Sequence, residues 1–66
     1  MAKIKLSKEL YSEKCLRKAM ADYSSLAQIT IEYDQELWLI QFSNCKYEEN
    51  RTISEFENYL IELENQ

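Results

Sequence analysis

The segment AQITIEYDQELWLIQF, residues 27–42, decides the fold of this 66-residue chain. Its first half alternates between apolar and polar residues from Ala27 to Tyr33, which is the two-residue period of a half-buried strand. Its second half, Leu37 to Phe42, is apolar at nearly every position and predicts another strand. The polar residues between them, Asp34 and Gln35, predict a short turn, so the segment reads as a β-hairpin.

The register of this hairpin follows from the centre of its turn. A turn centred on Asp34-Gln35 pairs residues whose numbers sum to 69. The pairs on one face are then all apolar: Ile31 with Trp38, Ile29 with Ile40 and Ala27 with Phe42. The pairs on the other face are mixed: Leu37 with Glu32 and Leu39 with Thr30. We therefore expect one face to be covered and the other to stay open.

The residues before the hairpin predict a strand and a helix. KIKL, residues 3–6, alternates and predicts a short half-buried strand. Ser12 is a suitable N-cap for a helix that ends near Ser24-Ser25. The apolar positions of this helix recur with a period near 3.6: Tyr11, Cys15, Leu16, Ala19, Met20 and Tyr23.

A polar loop, residues 43–51, leads from the hairpin to an acidic helix. The apolar stripe of this helix consists of Ile53, Phe56, Leu60 and Leu63. Thr52 or Ser54 is the expected N-cap, because each is followed three residues later by a glutamate, as in a capping box. The helix ends with Glu62 and Glu64, where the helix dipole disfavours each acid by about 0.3 to 1 kcal/mol.

The predicted element order is β-α-β-β-α, which indicates an α+β fold in one domain, residues 1–66. Right-handed connections allow the third strand to lie between the first two, with strand order 1-3-2 and both helices on one face. This arrangement is a split β-α-β unit, like a ferredoxin-like fold without its last strand.

Charge is unevenly distributed along the chain. The net charge is −4, but residues 1–18 carry six basic side chains against two acids, and the remainder carries two against ten. Such polarity suits docking to a charged surface, and it equally suits a solvated surface that keeps a small protein soluble. The modest basic patch beside so many acids does not predict nucleic-acid binding.

Several functional classes are disfavoured by composition. The chain has no histidine and no glycine, hence no imidazole base and no phosphate-cradling loop, so we expect no catalysis and no cofactor. Cys15 and Cys45 are far apart and form no C-x-x-C motif, so we expect reduced thiols and no metal site. Without a long apolar run or a secretory signal, the expected location is cytoplasmic, with no membrane contact.

Surplus apolar and charged residues predict binding to a protein or peptide. Leu37 and Leu39 fall on the open face of the sheet, and Ile61 lies outside the apolar stripe of the last helix. The first strand, with Lys3 and Lys5, is an edge that could pair with a twin chain or an extended peptide, unless its lysines serve to prevent pairing. The acids Glu62 and Glu64 would suit a basic partner.

The stretches YSEKCLRKAMADYS, residues 11–24, and EFENYLIEL, residues 55–63, flank the hairpin and resemble the small D component of the His-Xaa-Ser system, HxsD. The matched features are Tyr11-Ser12 at a helix start, Ala19 and Tyr23 within it, and Glu55-Phe56, Asn58 and Leu60 in the last helix. The resemblance implies an accessory protein that accompanies a radical S-adenosylmethionine enzyme acting on peptides. The resemblance implies no catalytic residue in this chain.

Two functions from different classes follow. The first is an accessory module that binds a peptide-modifying enzyme or its peptide substrate. The second is a small acidic inhibitor or adaptor, of a phage or toxin-antitoxin type, that binds a basic protein surface. A homodimer is compatible with either.

Overall fold

The computed structural model describes residues 2–66, and its elements follow the predicted order β-α-β-β-α. They are β1 (Ala2–Ser7), α1 (Glu13–Asp22), β2 (Gln28–Tyr33), β3 (Leu37–Ser43) and α2 (Glu49–Glu64). The strands form one sheet in the order β1-β3-β2, with both outer strands antiparallel to β3. The predicted α+β class, strand order and split β-α-β arrangement are confirmed.

The hairpin register predicted from the sequence is wrong by two residues. β2 and β3 pair so that residue numbers sum to 71, with Ile31 opposite Ile40. The cause is the carboxylate of Asp34, whose Oδ1 accepts hydrogen bonds from the backbone N–H groups of Glu36 at 3.0 Å and Leu37 at 2.9 Å. This Asx-type turn centres the loop on Gln35-Glu36 rather than on Asp34-Gln35. A two-residue shift preserves side-chain parity, so each residue keeps its predicted face.

The hydrophobic core lies between the two helices and one face of the sheet. The strands contribute buried Leu6, Trp38, Ile40 and Phe42, and the helices contribute Leu16, Ala19, Ile53, Phe56, Leu60 and Leu63. The phenyl ring of Phe56 joins the layers, because it packs edge-on against Phe42 of β3 and Tyr23 at the end of α1, with centroids 5.2 and 5.6 Å away. Both helices therefore cover one face of the sheet, as predicted.

The start of α2 differs from the prediction. Its N-cap is Glu48, whose carboxylate accepts the backbone N–H of Arg51 at 2.6 Å, and neither Thr52 nor Ser54 caps the helix. Thr52 instead lies inside the first turn with only 5% of its surface exposed, and its hydroxyl donates to the Glu48 carbonyl oxygen at 2.9 Å. Packing of Thr52 and Ile53 against the core places them within the helix.

The first helix begins where the sequence predicts. Ser12 is the N-cap of α1, and its Oγ accepts the backbone N–H of Cys15 at 3.3 Å. The helix ends at Asp22 with Tyr23 as the C-cap, shortly before Ser24-Ser25.

Candidate protein-binding surface

The face of the sheet that the helices leave bare is the candidate binding surface, and we call it the open face. Its residues alternate with the core residues along each strand. They are Lys3, Lys5 and Ser7 of β1, Gln28, Thr30 and Glu32 of β2, and Leu37, Leu39, Gln41 and Ser43 of β3. The two leucines are half-buried even without a partner, and the lysines, Thr30 and Glu32 are exposed.

One row across the three strands gives the open face its chemical character. Leu39 is paired with Lys5 on one side and with Glu32 on the other. Neither Lys5 nor Glu32 forms an ion pair of 4 Å or less with another of residues 2–66. A depression of about 190 Å³ surrounds Leu39, and its lining includes Lys3, Thr30 and Gln41 besides Lys5 and Glu32. The row thus offers an apolar centre between two opposite charges.

The four predicted site residues of the sheet lie together, and the three predicted on the last helix lie elsewhere. Lys3, Lys5, Leu37 and Leu39 share the open face. Ile61, Glu62 and Glu64 belong to α2, which packs on the opposite face of the sheet. The structure therefore brings them into two separate surfaces rather than one site.

Within the helix group, Glu64 makes contacts inside the chain. Its Oε1 accepts hydrogen bonds from the backbone N–H of Ser12 at 2.7 Å and from the Ser12 hydroxyl at 2.9 Å. The backbone hydrogen bond from Ser12 is the main cause that lowers the pKa of Glu64. The acid that looked misplaced at the C-terminal end of α2 thus lies at the N-terminal end of α1, where the helix dipole favours negative charge. Ile61 and Glu62 remain exposed.

Lys8, Tyr33 and Trp38 form a cation-π cluster at the turn end of the hairpin, and the sequence did not predict it. The Nζ of Lys8 lies 4.8 Å from the ring centroid of Tyr33 and 5.0 Å from that of Trp38, and it donates to the Asp34 carbonyl oxygen. Cation-π contacts of this kind orient a lysine. Tyr33 is 64% exposed, although its position in the strand alternation predicts that it faces the helices. The signal in the sequence was Tyr33, a tyrosine at the end of a predicted strand.

Leu10 was also missed as an exposed apolar side chain. It lies in the turn between β1 and α1 and is 70% exposed, the highest value among the large apolar side chains of residues 2–66. Its position outside both the strand alternation and the helix stripe was the signal that could have identified it. Tyr47, before α2, is comparably exposed.

Outside the open face, one pair of titratable groups joins α2 to α1. The hydroxyl of Tyr59 donates to the Asp22 carboxylate, which raises the pKa of Tyr59 and lowers the pKa of Asp22. Cys15 and Cys45 are free and partly buried. Among residues 2–66, no group of three or more Cys, Asp or Glu side chains is arranged to hold a metal ion.

Over the same described range, neither helix is long and apolar enough to cross a lipid bilayer. Comparison with protein-family models, with curated proteins and with solved structures finds no match. The open face and its row of Lys5, Leu39 and Glu32 therefore carry the functional argument.

Proposed function

We propose that this protein is a non-catalytic binding module that docks a protein on the open face of its sheet. The observation that carries the proposal is the half-buried pair Leu37 and Leu39 on the central strand of a sheet face that neither helix covers. Apolar side chains flanked by charges are typical of the centre and rim of a protein interface. In a domain of this size, burial against a partner also adds stability that a small core supplies only in part.

The class of partner follows from the sequence resemblance. As an HxsD-like accessory protein, the module would assist a radical S-adenosylmethionine enzyme or its peptide substrate in the cytoplasm. The outer edge of β1 supports the peptide route, because a strand with a neighbour on one side only can accept an extended peptide by main-chain hydrogen bonds. The open face and this edge are adjacent, so one module can bind a protein and a peptide together.

The test is affinity capture from the native cell lysate with tagged wild type, Leu39→Asp and Ile61→Asp, followed by mass spectrometry. Ile61→Asp is the matched control, because it places the same charge on an exposed apolar position of α2. We expect wild type and Ile61→Asp to retain an iron–sulfur radical enzyme or a peptide precursor, and Leu39→Asp to lose it. Equal retention by Leu39→Asp would exclude docking on the open face.

The acidic inhibitor is the alternative, and the outward side of α2 favours it. This helix carries five glutamates against one arginine, and Glu55 and Glu62 are exposed. Binding through these acids would weaken steeply between low and high salt, and Glu62→Lys would impair it. Docking through Leu37 and Leu39 would show weak salt dependence and would tolerate Glu62→Lys.

A further inference from the structure

The open face is complementary to itself in charge. Its central row reads Lys5, Leu39, Glu32 from β1 to β2, so a positive end and a negative end lie at equal distances from a central leucine. The next row toward the hairpin turn has Leu37 at its centre, beside Ser7. Adjacent strands are about 4.8 Å apart, which puts the two charged ends of the row roughly 10 Å apart.

We propose that a second copy of this chain docks on the open face, related to the first by a two-fold axis that runs along β3. The inference rests on the proposed function and gives the open face a second occupant, which competes for Leu39 with the partner proposed above. Rotation by 180° about this axis keeps every row in place and exchanges its two ends. Lys5 then lies over Glu32 of the second copy, Glu32 lies over Lys5, and Leu39 meets Leu39.

The charge pattern selects this axis over the other symmetric choice. A two-fold axis running across the strands through Leu39 would place Lys5 on Lys5 and Glu32 on Glu32. Like charges that face each other across an interface oppose association. With the axis along β3, each copy supplies both partners of two opposite-charge pairs, as an isologous interface requires.

The dimensions fit this packing. Aligned sheets pack about 10 Å apart with their strands inclined by about 30°, a separation that two leucines fill from opposite sides. The Leu39 rows of the two copies stay in register, because the axis crosses them. The inclination moves the rows at the ends of one sheet away from the matching rows of the other. The product is a four-layer assembly in the order helix, sheet, sheet, helix, and the outer edge of β1 stays free in each copy.

The strength expected of this dimer is modest. The open face measures roughly 20 Å along the strands and 10 Å across them, which is well below the roughly 800 Å² per partner of a standard stable interface. We therefore expect weak, reversible association, as is typical of interfaces of this small size.

The test is sedimentation equilibrium of purified chains at low salt, from a few micromolar to several hundred micromolar. Wild type should associate, and the variants Lys5→Glu and Glu32→Lys should each bind themselves on the order of tenfold more weakly, because each faces like charges across both pairs. An equimolar mixture of the two variants should regain association. In that mixture one chain is acidic at both ends of its central row and the other is basic at both ends, so both pairs are opposite again.

Other outcomes overturn the inference. Failure of the mixture to associate, with both variants folded by circular dichroism, excludes the two-fold arrangement along β3. Loss of association by Lys5→Glu but not by Glu32→Lys indicates pairing of β1 edges instead. A wild type that stays monomeric throughout the range overturns the dimer, and if Leu39→Asp still abolishes capture of a partner from lysate, the proposed binding function stands without it.

Discussion

The two faces of the sheet come from the same three strands but differ in what they do. Along β3, Trp38, Ile40 and Phe42 are buried under the helices, whereas Leu37 and Leu39 alternate with them and stay half-buried on the open face. The covered face supplies the stability of a small domain, and the open face is the surface that we propose for binding. Two neighbouring apolar residues in one strand therefore lie in different surroundings, because strand parity directs their side chains to opposite faces.

The sharpest way to break this comparison is to truncate neighbours on opposite faces. Ile40→Ala removes a fully buried side chain and should lower the free energy of unfolding by about 2 to 5 kcal/mol, enough to unfold much of a domain this small. Leu39→Ala should cost about 1 kcal/mol or less in the monomer. Urea denaturation followed by circular dichroism measures both. Equal losses in the free energy of unfolding would mean that both faces contribute equally to stability.

The attachment of the helices over the covered face can be tested at Ser12. Ser12→Ala removes the N-cap oxygen that Cys15 N–H binds and the hydroxyl that donates to Glu64. We expect a loss of about 1 kcal/mol and a melting temperature lower by roughly 4 to 8 °C. Ser12→Asn, which can still cap the helix, should recover most of the loss. No loss in Ser12→Ala would show that the helix start is held by packing alone.

Two acids near the end of α2 should respond oppositely to the same substitution. Glu62→Lys replaces an exposed acid near the C-terminal end of the helix and should raise stability by about 0.3 to 1 kcal/mol. Glu64→Lys should lower the melting temperature, because it removes the acceptor of the two Ser12 hydrogen bonds. Thermal melts of both variants at neutral pH decide the point. A rise for Glu64→Lys would mean that the contact with Ser12 adds nothing.

The smallest expected effect concerns the turn that sets the hairpin register. The backbone N–H groups of Glu36 and Leu37 lower the pKa of Asp34 in the folded state. The ionised carboxylate therefore stabilises the fold above the unfolded-state pKa, and this contribution is lost as the pH falls below about 4 through the folded-state value. Asp34→Asn keeps an acceptor oxygen but does not ionise, so its stability should depend less on pH between about 5 and 2. If wild type and Asp34→Asn lose stability identically as the pH falls, the ionised Asp34 carboxylate does not stabilise the turn.

The candidate site could be predicted in part. Leu37 and Leu39 were correctly placed on the open face, because side-chain parity in a strand is local and survives a two-residue register error. That Lys3 and Lys5 share this face was not predicted, because it depends on how β1 pairs with β3. The row that joins Lys5, Leu39 and Glu32 was not predicted, because it depends on the register of both strand pairs. The contact of Glu64 with Ser12 joins residues 52 positions apart, and no local pattern encodes it.

The sequence by itself determined the order of the elements, the cap at Ser12 and the side-chain parity of each strand, and it allowed the strand order 1-3-2. These follow from periodicity, capping chemistry and short connections, all of which act over a few residues. Only the tertiary structure decided the hairpin register, the start of α2 and the role of Glu64. Each of these depends on a contact between a side chain and a backbone group or a packed neighbour, and such a contact forms only when the chain folds.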